Sequence, residues 1–399
     1  MQLAIENYTV TTALGLGRDA LWRGLSESRS GLSPCDFEHA DLDTWVGAVN
    51  AFDGDPLPAE LEHWDCRNNR LAELGLQQDG FLHCVENAKK TYGADRVGLF
   101  LGTSTSGITA TEHLYRQAQA GLEPDDFSFE CNHEYFSVAG YIRTRLGLSG
   151  PAMVVSTACS SSAKVFASAA RSIAAGFCDA AVVGGVDSLC LTTLYGFNSL
   201  QLVAAEPCRP SDANRNGISI GEAAGFALVV PAQVSNGAGN SGGNLPSVMG
   251  WGESSDAHHM ASPDPAGRGA EAAMQRALTM AGLAPRAIDY INLHGTATPA
   301  NDLAEGRAVV NVFGTETPAS STKGWTGHTL GAAGIVEAAI GWLAIEKNWK
   351  PQSLNTVSVD PEIKANILLQ PSAKPVRHVI SNSFGFGGSN CSLVLGWLP

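Results

Sequence analysis

Short apolar runs alternate along this chain with longer stretches of alanine and other small residues. Val97–Leu101, Ala152–Ser156, Ala180–Val183, Tyr290–Leu293 and Val379–Ser381 have the length and composition of buried strands. Residues 163–175 stay small and apolar and predict a helix shortly after the second of these. Alternation of this kind argues for parallel or mixed sheets sandwiched by helices. Residues 234–244, VSNGAGNSGGN, are strongly Gly/Ser/Asn-rich and predict a division into halves 1–233 and 245–399. A weak internal echo points to one design used twice. VVSTACSSSAKVFASAARSIAAG in the first half resembles SSTKGWTGHTLGAAGIVEAAIGWLAIEKN in the second. Each reads as a strand, Ser-Thr, a small-residue turn with a reactive group, then a helix.

Composition narrows the functional classes. At 399 residues the chain is too long for one ordinary core, and 44% hydrophobic against 16% charged residues implies a large interior. A net charge of −14 argues against general nucleic-acid binding, and no basic run exceeds Lys89-Lys90. Gly331–Ile345 comes closest to a membrane span, but it is too short and Glu337 interrupts it. The N-terminal residues lack the pattern of a signal peptide. Nine scattered cysteines without CxxC pairs suggest neither a disulfide framework nor a zinc site. A cytoplasmic, reducing setting is expected.

Chemistry concentrates at strand ends. Cys159 stands in Thr157-Ala158-Cys159-Ser160-Ser161-Ser162, between a predicted strand and a predicted helix. The positive end of a helix dipole there favours a thiolate, the nucleophilic form. His294 follows the strand IDYINL in HGTATP, and His328 lies in KGWTGH ahead of the helix that carries Glu337. Gly, Thr and small neighbours let a substrate approach both histidines closely. NSFGFGGSN at 382–390 is a glycine-rich turn with no lysine and no following helix, which weakens a phosphate-loop reading.

TACSSS at Cys159, HGTAT at His294, KGWTGHTLGAAG through His328 and SNSFGFGGSN near the end together resemble the β-ketoacyl-acyl carrier protein synthase family. The resemblance runs over nearly the whole chain. It implies the thiolase fold: two similar halves in α/β/α/β/α layers. It implies Cys159 as the acyl-accepting nucleophile, and His294 and His328 as the pair that assists decarboxylation of a malonyl thioester. Lys323, five residues before His328, matches the lysine supporting that histidine, and Glu337 the carboxylate that helps hold the water and lysine network. The backbone N–H groups of Cys159 and Phe386 match the oxyanion hole, and Phe386 also matches a gate over the acyl pocket. Thr296 and Thr298 match hydroxyls that hold the phosphopantetheine arm. No metal or cofactor is implied, since the substrates ride on acyl carrier protein.

Several positions depart from the family pattern. Ala297 replaces a common glycine, Ser211 an aromatic, and Trp325 a smaller residue, while the 102–108 loop GTSTSGI is also unusual. These departures point to altered substrate shape and resemble aryl polyene synthases more than housekeeping fatty-acid enzymes. The expected assembly is a homodimer, or a heterodimer with a chain-length-factor homologue. For docking an acidic carrier, Arg67 and Arg70 stand at i, i+3 on one predicted helix face. A catalytically weak partner subunit and a Cys/His thioester hydrolase are the alternatives. A thiolase would need a second catalytic cysteine, for which Cys391 is the candidate, read here as structural.

Overall fold

A computed structural model describes residues 1–50, 56–123, 127–235 and 245–398. Most of the expected divider, residues 236–244, lies outside the described residues. The main strands of the first half are β1 (Leu3–Thr12), β2 (Val97–Gly102), β3 (Ala152–Val155), β4 (Ala180–Asp187) and β5 (Ala223–Pro231). Those of the second are β6 (Pro246–Ser255), β7 (Tyr290–Asn292), β8 (Pro318–Ser320), β9 (Val379–Gly385) and β10 (Ser389–Trp397).

Spatially the strands run β3-β2-β4-β5-β1 and β8-β7-β9-β10-β6, which is 3-2-4-5-1 within each half. Directions repeat as well. The second strand is parallel to the third and fourth, and the fifth is antiparallel to the fourth and first, in both halves. The echo in the sequence is thus a duplication of architecture. The two sheets meet where Leu3 and Ala4 of β1 pair with Val248 and Ser247 of β6.

Helices fill three layers. The helices that place the site are α1 (Arg67–Leu76), α2 (Phe81–Tyr92), α3 (Ile108–Gln119), α4 (Ser137–Leu146), α5 (Ser161–Ala174), α6 (Leu191–Ser199), α7 (Arg268–Ala281), α8 (Pro299–Phe313) and α9 (Ala333–Lys347). α1, α2 and α4 pack Leu71, Phe81 and Ile142 against Leu99, Val182 and Phe226 on one outer face. α7 and α8 pack Met274 and Val309 against Ile291 and Ile380 on the other. Between the sheets, α5 and α9 share a core of Phe166, Ile335, Trp342 and Leu393. α9 is buried from Ala333 through Ile345 because sheet or helix covers every side, which explains its unbroken apolar composition.

α5 follows β3 and α9 follows β8, so each central helix leaves the third strand of its half. They touch backbone to backbone at Gly334, where an added Cβ would lie 2.4 Å from the Ala163 nitrogen. Both therefore deliver their preceding turns to one end of the molecule. No helix among the described residues is long and apolar enough to cross a membrane.

Candidate active site

Cys159 sits at the β3–α5 elbow, after Ala158 with φ +50°. That left-handed backbone is disfavoured for alanine and marks local strain where the chain turns the thiol inward. The side chain is buried, and the Phe386 N–H points at its sulfur. Gly385 makes this approach feasible, since a Cβ there would lie 2.6 Å from Thr157 O. Burial pushes the thiol up to about 11, against the opposing pull of Lys323 and the Phe386 N–H. The expectation of a thiolate at rest fails here because desolvation outweighs those stabilising groups.

A base compensates. His328 Nε2 lies 3.1 Å from Cys159 Sγ. Burial and the nearby Lys323 ammonium hold its imidazole neutral, well below the usual histidine range. A protonated thiol donating to Nε2 leaves the ring proton on Nδ1, which is buried without a hydrogen-bond partner among the described residues.

His294 faces His328 edge-on, with ring centroids 5.3 Å apart. It too is held neutral by burial, then by Lys323 and His328. Lys323 Nζ lies 3.4 Å from its Nδ1. An ammonium only donates, so Nδ1 accepts and the proton sits on Nε2. The Cys159, His294 and His328 donor atoms lie within 4.8 Å of one another, a spacing open to a metal ion. The Lys323 contact disfavours that use, because it takes the lone pair at Nδ1 and leaves Nε2 protonated. Lys323 also forms a buried ion pair with Glu337, whose carboxyl burial pushes up to about 7.

The three reactive side chains line a cavity of about 240 Å³. Its apolar walls include Phe197, Leu202, Ile218, Phe384 and Phe386, and Phe197 packs on Phe386 at 5.5 Å. Thr296 and Thr298 line the same cavity, their hydroxyls 2.9 Å apart. Arg67 and Arg70 lie elsewhere, on a polar cleft of about 860 Å³, and each is paired with a carboxylate: Arg67 with Glu222, Arg70 with Asp65. Cys391 is buried in β10 within the central core and does not line the cavity.

The unusual positions do not shape this cavity. Ala297 packs with Leu32 and Cys208, Trp325 is fully buried with Nε1 on Gln352 O at 3.3 Å, and Ser211 is buried beside Asp302. None of them lines it, so the expectation that they alter substrate shape does not hold there.

Three acidic residues were not legible as site residues. Glu305 accepts the N–H groups of His294 and Gly295 at 2.8 and 2.7 Å. Asp187 accepts from Thr103, Ser104 and Thr105, and from Gly331 N at 2.5 Å, tying the unusual 102–108 loop to the His328 turn. Glu222 pins a segment beside His328. Only the flanking glycines of GISIGEAAG and GGVDS hinted that two of these acids stand where backbones crowd.

Residues 2–234 match the model of the β-ketoacyl synthase N-terminal domain, and residues 245–357 that of the C-terminal domain. The chain belongs to the β-ketoacyl synthase family. It is an acyltransferase of the condensing type. The synthase is 37% identical to the mitochondrial 3-oxoacyl-acyl-carrier-protein synthase of Arabidopsis thaliana, over 98% of this chain and 92% of that protein. Among solved structures it resembles the ketosynthase ApeO, in complex with its chain length factor ApeC, from Xenorhabdus doucetiae. That match has a TM-score of 0.90 at 34% identity and covers 100% of this chain and 98% of that one. A β-ketoacyl synthase from Burkholderia phymatum STM815 matches with a TM-score of 0.87 at 27% identity, covering 100% of both chains.

Proposed function

We propose that this synthase condenses an acyl group held on Cys159 with a malonyl thioester of acyl carrier protein, lengthening the chain by two carbons. The observation that carries this reading is the 3.1 Å approach of His328 Nε2 to Cys159 Sγ, in a cavity that also holds His294. In acyl transfer, Cys159 sulfur bonds the thioester carbon while His328 Nε2 takes its proton and passes it to the departing carrier thiol. The N–H groups of Cys159 and Phe386 receive the developing oxyanion. In condensation, the malonyl carboxylate leaves as carbon dioxide and its bonding pair forms an enolate. His294 Nε2–H stabilises the enolate oxygen, joined by His328 after its ring proton moves from Nδ1 to Nε2, which the acylated sulfur leaves free. The enolate carbon then bonds the acyl carbon, and Cys159 sulfur departs as thiolate and takes a proton from solvent.

No metal or cofactor enters these steps; the phosphopantetheine arm would pass Thr296 and Thr298. The carrier protein would meet the polar cleft at Arg70, which is more exposed than Arg67. The partner subunit is a second copy or a chain-length-factor homologue, a reading supported by the complex of a 34% identical ketosynthase with such a factor. Free cysteines at all nine positions fit a cytoplasmic enzyme. The 34% identity to the ketosynthase ApeO favours a polyene-type pathway.

The test supplies acyl-carrier and malonyl-carrier protein together. Release of carbon dioxide with a product two carbons longer is expected, and Cys159→Ala should form no acyl adduct by mass spectrometry. Free fatty acid without a new carbon–carbon bond would establish a thioester hydrolase instead.

A further inference from the structure

The His328 backbone leans on the other half of the molecule. Its N–H donates to Ser219 O at 2.7 Å, and its carbonyl accepts from Gly221 N at 2.9 Å. The packing leaves no slack: a Cβ on Gly221 would lie 2.2 Å from Thr326 O, two residues before His328. Glu222 comes next in the chain and is fully buried. Its carboxylate accepts Val49 N and Leu189 N, each at 2.9 Å. It also takes a two-pronged pair from Arg67, 3.0 Å from Nε and 2.7 Å from Nη2.

We propose that Arg67 is a positioning residue that sets the height of His328 over Cys159 through Glu222, and this rests on the condensing function above. A buried carboxylate is stable only when its charge and lone pairs are met. The planar guanidinium supplies both at once and fixes the carboxylate's orientation. A fixed Glu222 fixes Gly221, and Gly221 fixes the backbone from which the imidazole reaches Cys159. Arg67 is mostly enclosed, with 18% of its side chain exposed, and it also covers the Phe37 ring at 5.0 Å. Such an arginine is better placed to hold the interior than to greet a partner. Reacting groups displaced by about 1 Å lose on the order of a hundredfold in rate.

Docking and positioning make different predictions for a substrate without a carrier protein. With acyl and malonyl pantetheine thioesters, Arg67→Met should lower kcat roughly ten- to a hundredfold with little change in KM. Arg67→Lys should retain part of the rate, and Arg67→Met with Glu222→Gln should recover part of it, because both buried charges leave together. Iodoacetamide alkylation of Cys159, which needs no turnover, should slow several-fold near neutral pH in Arg67→Met and recover in the double variant. If Arg67→Met does not fold, slower alkylation in Arg67→Lys than in wild type supports the proposal, and equal alkylation overturns it. A loss confined to carrier-borne substrate, seen as a raised KM, makes Arg67 a docking residue and overturns the proposal. So does wild-type behaviour of Arg67→Met in both assays. A wild-type protein that forms no condensation product would remove the proposed function, yet the alkylation comparison would still report on Arg67.

Discussion

At Cys159, burial and reactivity pull in opposite directions. The enclosure that keeps water from an acyl thioester also pushes the thiol up to about 11. Thiolate is the alkylated form, so inactivation by iodoacetamide should keep rising with pH beyond 9. A plateau near pH 7 would reveal a resting thiolate–imidazolium pair and contradict the neutral state described for His328. Cys159, His294, His328, Lys323 and Glu337 were legible because each lies in a short, distinctive run of sequence. Their supports were not. Arg67 and Glu222 lie 155 residues apart, and Asp187 meets its loop across more than 80. No local pattern joins such pairs; only the folded topology does. Local spacing also misled, since the helix start at α5 suggested a thiolate without showing how deeply the elbow is buried.

Among the elements, the contact of α5 with α9 decides how the two halves' chemistry is aligned. Gly334 lies at that contact and three residues before Glu337, which holds Lys323. A methyl group there would press on the Ala163 backbone, which has no flexible side chain to yield. Gly334→Ala should therefore destabilise the protein by about 1–3 kcal/mol, the usual range for overpacking, and lower turnover as Cys159 and Lys323 shift apart. Unchanged thermal unfolding together with unchanged activity would show that the helices part freely. The strands and α9 were visible in the alternation of apolar runs. The shared edge of β1 and β6 was not, because edge pairing leaves no periodic mark in the sequence.

For the whole molecule, β3 is the exposed feature that matters. Among the described residues it pairs only with β2, and Met153 is 47% exposed on it. An apolar edge strand invites another strand, and β3 leads directly to the Cys159 elbow. The protein should be a dimer by light scattering at micromolar concentration. Met153→Arg should shift it towards monomer and reduce activity by loosening the elbow. A dimer unaffected by that change would place the interface elsewhere.

The repeated strand order separates what the molecule is built from and what it does. The sulfur belongs to one half and the imidazoles to the other, while neither frame depends on the reactive atoms. A gene copy that loses Cys159 alone would keep its layers, its edge strand and its capacity to stand beside an active sister. Cys159→Ala should thus co-purify with wild-type chain as a mixed pair, and failure to form mixed pairs would tie assembly to the sulfur itself. Silent companions of such an enzyme need no new architecture; the loss of one atom suffices.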